Sequence, residues 1–451
     1  MASICDRDKN IRSWLKTLFV PKVLCLNSAR VGEHCKKNGL SFTQLMAPFA
    51  VMENHGVPIR TPSGHSSTMT GFRVKLLPSS YYSPLPLHEL DQELSTIVRS
   101  TAPATPPVDR LIKQQIITGR DIPKFLNTIC TAEDPQKGDG TPWYTAARSA
   151  FACAQRFQSH ERLDQPLSII LAISTLEPDP IAALKELQLG PGYPKQLKNG
   201  NFSAHVPKFI FIIHDTCLAH AVDPQKVVRI LHGYFRPDQC KLVTVNSFPD
   251  ASPNMGQPDM WTKEMSWSEA RMAQELAAGQ VGERTGKCLP FGALLSPEDL
   301  MGLQGVMNEV VTKGVAPEIE RRMFSLNQEI SQNRKGVKNM LKSWWGRKPK
   351  ESPKREGPGN TANGSGPLYD VNTIESQIRL LADLAFMVRD YELALSMYRM
   401  VRDDFKSDKA WHHFASASDM IGLTTYLSNG SHRDMMSAFE AAIAYHVKPG
   451  G

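Results

Sequence analysis

The sequence predicts an α/β N-terminal domain, a partly parallel sheet with flanking helices, followed by the start of an α-helical, tetratricopeptide-like solenoid. Two observations carry this. Between residues 208 and 247, the apolar runs KFIFIIHD and CKLVTVNS flank an amphipathic helix that opens at Asp223-Pro224 and carries Val227, Val228, Leu231, Tyr234 and Phe235. Strand, helix, strand in that order suits a crossover in a parallel sheet covered on both faces. After residue 374, apolar positions recur at helical spacing in paired segments, the pattern of stacked helical hairpins.

Earlier elements fit the same class. VLCLN at 23 to 27 is a short buried strand, after which Ser28 caps a helix that ends near Gly39. GFRVKLL at 71 to 77 alternates Phe72, Val74 and Leu76 with polar neighbours, as a half-buried strand does. Residues 53 to 69, rich in Gly, Pro, Ser and Thr, are expected as a long loop. Residues 101 to 140 read as a surface insertion around a short helix at 108 to 117. From Pro142, Trp143, Ala147, Ala150 and Phe151 recur at helical spacing. Leu167 to Ile173 reads as a buried helix or strand, and Asp179-Pro180 then caps a helix with Leu184 and Leu187 on one face.

Residues 248 to 290 are expected as a further loop insertion that closes a platform domain spanning 1 to 290. Residues 291 to 346 form a helical segment. It opens at the cap Ser296-Pro297-Glu298-Asp299 and continues with Ile319, Met323, Leu326 and Ile330 as one apolar stripe. Residues 347 to 372, low in apolar content, are a flexible linker. The solenoid occupies 373 to 451. Its first helix ends near Val388, its second starts at Tyr391, Ala394 and Tyr398 take the small and aromatic places of such repeats, and 409 to 426 and 433 to 446 repeat the scheme.

The 451 residues are 41% hydrophobic, 22% charged and 8% aromatic, near the averages of globular proteins. The apolar runs are far shorter than the ~18 residues of a spanning helix, and the first 20 residues read as neither a secretory nor an organellar leader, so a cytoplasmic setting is expected. Eight cysteines without a C-x-x-C pair give neither a disulfide framework nor a zinc ribbon. The net charge of +7 is localised: nine basic residues and one acid lie between Arg334 and Arg355, and the rest of the chain is balanced.

Candidate chemistry is sparse. His205, His214, Asp215, Cys217 and His220 cluster in sequence, with His214 and Asp215 at the carboxyl end of a predicted strand, where α/β proteins place ligands. A hydrolase would draw on His214 and Cys217. However, adjacent strand residues face opposite sides, and C-x-x-H lacks a second pair for zinc. No phosphate-binding or dinucleotide-binding glycine motif is present. No catalytic residue, cofactor or metal is therefore assigned.

The stronger signal is the segment 337 to 348. Val337, Met340, Leu341, Trp344 and Trp345 share a helical face, flanked by Lys338, Lys342, Arg347 and Lys348, a pattern suited to an anionic bilayer surface. Packing of the two tryptophans on the preceding helix is the alternative. No nucleic-acid partner is assigned, because a single short patch on a balanced protein is a weak footprint.

The motifs FVPKVLCLNS, LSFTQLMAPF, TPWYTAARSAF, IIHD, PDMW, NRKGVKNMLKSWWG and ESQIRLLADLAFMVRDYELALSMYRMVRDDFKSDKAW, in this order across most of the chain, resemble the TRAPP III-specific large-subunit family, called subunit 8 in animals. The resemblance implies a non-catalytic scaffold of a vesicle-tethering complex at Golgi and autophagy-related membranes. Its partners would be the small core subunits, and through them a Rab-type GTPase on which the core promotes nucleotide exchange. Family members are longer, so the chain is expected to match only their N-terminal portion, as a fragment or shortened gene model. The alternative is a generic helical-repeat adaptor without a membrane role.

Overall fold

A computed structural model describes residues 4–53, 56–64, 66–82, 161–198, 205–218, 222–248, 260–261, 291–344, 359–360 and 367–446. The expectations for 101 to 140 and for the helix from Pro142 lie outside these residues. So do most of 248 to 290 and most of the linker.

The centre is a five-stranded sheet. Helix α1 (Ile4–Leu18), which sequence reading did not anticipate, precedes β1 (Lys22–Asn27). After β1 come α2 (Ala29–Lys36), capped by Ser28, and α3 (Phe42–Met46), which opens on a capping box between Ser41 and Gln44. Short strands follow: β2 (Val51–Met52), β3 (Val57–Arg60), β4 (Ser66–Met69), β5 (Phe72–Arg73) and β6 (Lys75–Pro78). Next are β7 (Pro166–Ser174), α4 (Pro180–Leu189), α5 (Lys195–Lys198), β8 (Lys208–Asp215), α6 (Pro224–His232) and β9 (Cys240–Val245). The sheet order is β6-β1-β7-β8-β9 and every pairing is parallel. The strand order thus reverses beside β1, the doubly wound arrangement that leaves a crevice at the carboxyl ends of β1 and β7.

Alternate strand residues feed two cores. Leu24, Leu26, Ile169, Leu171, Ile173, Ile210 and Ile212 face α4, α5 and α6. Val23, Cys25, Ile170, Ala172, Phe209, Phe211 and Ile213 face the opposite way, into a cluster that continues through α2, α3 and the later helices to the end of the solenoid. Both faces of the sheet are covered, which is why these strands read as near-continuous apolar runs.

Three readings are corrected. The stretch 53 to 69 contains the β3–β4 hairpin, because Val57 and Ile59 alternate with exposed neighbours and bury one face. GFRVKLL is not one strand. Phe72–Arg73 pairs antiparallel with β2, whereas Lys75–Pro78 joins the main sheet beside β1, and Leu77, not Leu76, is buried. The helix from Pro224 ends at His232, which leaves Tyr234 70% exposed.

Beyond the sheet, α7 (Pro297–Glu309) starts on a reciprocal Ser296–Asp299 capping box. A π turn, Val310–Val315, joins it to α8 (Ala316–Trp344). At this turn Gly314 lies against the ring of Phe209, and a Cβ there would sit 2.5 Å from the ring. The glycine is thus what allows the helix to seat on β8. Ile319, Met323, Leu326 and Ile330 are buried as one stripe.

The solenoid comprises α9 (Ile374–Met387), α10 (Tyr391–Ser407), α11 (Trp411–Leu427) and α12 (His432–His446). Its three turns repeat one geometry. Arg389, Lys409 and Asn429 each have positive φ, and the amides of Asp390, Ala410 and Gly430 reach back to Ala385, Phe405 and Thr425, which is the Schellman closure. A buried lattice docks the solenoid on the platform. Arg379 pairs with Asp383 at 3.0 Å, Tyr398 donates to Asp383, the Arg162 amide donates to Asp383 at 3.0 Å, and Ser416 donates to Glu161 at 2.8 Å. Phe19 and Phe386 add an edge-to-face contact at 5.2 Å.

Candidate functional site

The carboxyl edge of the parallel sheet gathers polar side chains from four elements. Strand β7 ends in Ser174, β8 ends in Asp215, and Asn246 follows β9 directly. Helix α2 brings His34 over them, and Lys37 and Asn38 follow it. His34 Nε2 lies 2.8 Å from Ser174 Oγ, and Nδ1 lies 3.0 Å from Asp215 Oδ2. Ser174 Oγ also accepts from the Leu176 amide, which leaves it both a proton to give and a lone pair to offer toward Nε2.

Hydroxyl, imidazole and carboxylate in this order match the connectivity of a nucleophilic triad. Their setting differs, since Ser174 and Asp215 are 0% exposed and His34 is 2% exposed. In the described structure the three groups tie β7, α2 and β8 together. Sequence reasoning missed this cluster because Ser174 and His34 are 140 residues apart; the available signal was a polar residue closing each apolar strand.

The network extends further. Lys37 Nζ donates to Asp215 Oδ2 at 2.8 Å. Asn246, at φ 61°, donates from Nδ2 to Asp215 at 2.8 Å and accepts at Oδ1 from Asn38. Asn38 accepts in turn from the Leu294 amide, and Ser247 binds Asp299 of the α7 cap through both its amide and its hydroxyl. Burial pushes the Asp215 carboxyl upward, but contacts with His34, Lys37 and Asn246 outweigh it and hold the group below the usual carboxylate range.

Of the residues singled out in the sequence, Asp215 is the centre of this network and accepts from the Cys217 amide at 3.0 Å, but the side chains of His214 and Cys217 are not brought together. The ring of His214 meets Thr175 at 3.1 Å, and the sulfur of Cys217 donates to the Asn246 carbonyl at 2.8 Å. Burial raises the Cys217 thiol and lowers the His214 imidazole, so neither shift makes a thiolate. His205 and Cys217 flank opposite ends of β8, roughly 25 Å apart at strand rise, and His220 lies outside the described residues. Among the described residues no cluster of His, Cys, Asp or Glu has metal-binding geometry.

The basic amphipathic element falls at the end of α8, which carries the backbone of Val337, Lys338, Met340, Leu341, Lys342 and Trp344. Their side chains, together with Trp345, Arg347 and Lys348, lie outside the described residues. Among the described residues no helix is long and apolar enough to cross a membrane.

A doubly wound parallel sheet, sealed at its ligand-binding edge by its own side chains and joined by a long helix to stacked hairpins, defines a platform-and-solenoid protein. The chain belongs to the family described as the ER-Golgi trafficking TRAPP I complex 85 kDa subunit, which it matches over residues 15–448. It is 22% identical to human trafficking protein particle complex subunit 8, over 94% of this chain and 33% of that protein. It is 26% identical to transport protein particle subunit trs85-1 of Schizosaccharomyces pombe, over 32% of this chain and 21% of that protein. The chain thus spans about a third or less of the length of these relatives.

Proposed function

We propose that the protein is a non-catalytic scaffold of a TRAPP III-type vesicle-tethering complex. In this reading it recruits or orients the small-subunit core, which exchanges nucleotide on a Rab-type GTPase, at Golgi and autophagy-related membranes. The observation that carries the reading is the family match running from the sheet platform through the solenoid, two parts that share one apolar core. A body of this kind presents surfaces in fixed relation. The basic amphipathic end of α8 supplies the peripheral membrane contact, with cations beside two indole rings.

The rival reading, a hydrolase using His214 and Cys217, is disfavoured by their separate engagements with Thr175 and Asn246. Affinity purification of the tagged full chain tests the proposal. Recovery of small TRAPP core subunits in stoichiometric amounts is the expected result. Their absence, with the protein folded, favours a generic helical-repeat adaptor.

A further inference from the structure

Helices α10, α11 and α12 enclose a groove of about 410 Å³ on the solenoid. Phe414 and Ile421 of α11 and the small Ala438 and Ala441 of α12 supply its apolar lining, beside the hydroxyls of Ser418 and Ser437. Along α10 the rim carries Arg399, Arg402 and Lys406, on one face by their spacing. Asp403 holds Arg402 at 2.7 Å. Arg399 and Lys406 are exposed and form no ion pair among the described residues. Seven residues of helical rise place them about 10 Å apart, so two cations bracket a hollow whose apolar part is Phe414, Ile421, Ala438 and Ala441.

We propose that this groove docks an acidic peptide that carries an apolar side chain between two carboxylates. The carboxylates meet Arg399 and Lys406, and the apolar group enters the hollow over Phe414. Asp434 lines the opposing wall. It disfavours a uniformly anionic surface such as lipid headgroups, and favours a ligand whose charges lie on the α10 side alone. The groove is built from solenoid residues and is independent of the membrane contact at α8.

Fluorescence anisotropy on the full chain tests this with a short fluorescein-labelled peptide in which leucine is flanked by glutamates. Saturable binding is expected. It should weaken about tenfold or more in the Arg399→Glu/Lys406→Glu variant, as two reversed surface contacts imply, and on changing the peptide's glutamates to glutamine or its leucine to serine. An unchanged thermal midpoint shows that the variant is folded, and Arg399→Gln/Lys406→Gln provides the same reading if it is not. The proposal is overturned if wild-type protein does not bind the probe, or if binding survives all these changes. Binding of phosphatidylserine vesicles through Arg399 and Lys406 in place of the peptide would also overturn it, in favour of a lipid surface.

Discussion

Asp215 and Asn246 are joined by a 2.8 Å hydrogen bond from Nδ2 to Oδ2, and both side chains are fully buried at the carboxyl edge of the sheet. Asp215→Asn leaves Lys37 and His34 facing a neutral amide, and should cost about 3 kcal/mol at neutral pH, the scale of breaking a buried charged contact. The folded-state carboxyl titrates below its ordinary value. Its contribution is therefore full above about pH 4, the unfolded-state value, and is lost as pH falls through the lower folded value. Urea unfolding from pH 7 downward should show a constant gap between wild type and variant that narrows only below about pH 4.

Gly314→Ala places a methyl group against Phe209. The expected loss is roughly 1 to 3 kcal/mol, the range for overpacking. Adding Phe209→Leu should recover part of it, and a double-mutant cycle on thermal midpoints measures the coupling.

Tyr398→Phe removes a hydroxyl that donates to the buried Asp383 carboxylate. A bond to a charged group is worth about 1.5 to 3 kcal/mol. Because Asp383 also accepts from the Arg162 amide, amide hydrogen exchange should quicken around residue 162 as well as within α9.

Lys409→Gly relieves a left-handed conformation at a residue that has a Cβ. Part of the gain is offset by the greater freedom of glycine in the unfolded chain. The net expectation is a stabilisation of up to about 1 kcal/mol, read from the urea midpoint.

Replacing Lys338 and Lys342 by glutamine should weaken flotation with phosphatidylserine liposomes by roughly 30-fold, at about 1 kcal/mol per cation. Exchanging Trp344 and Trp345 for alanine should weaken it further. Unchanged flotation would remove the membrane contact while leaving complex assembly intact.

Where local chemistry decided an element, the sequence alone was sufficient. The caps at Ser28, Asp179, Asp223 and Ser296 all start helices, and the apolar runs at 23 and 208 are strands of one sheet; the run at 167, which the sequence left open between helix and strand, is a strand between them. The reading failed where partners are distant. Alternation in GFRVKLL could not show that Val74 is a crossing point between two sheets, since that depends on β1 and β2 both being in place. The α2 face that bears His34 gives no hint of Ser174 or Asp215, because two separate strand ends must first be aligned by the sheet.

The apolar contacts pass without a break from Phe209 across Gly314 and Ile319 to Ile378 and Val401. Torque applied at the far hairpin therefore travels to the strands through close-packed side chains. A partner that grips α12 is therefore expected to hold the sheet in a fixed orientation.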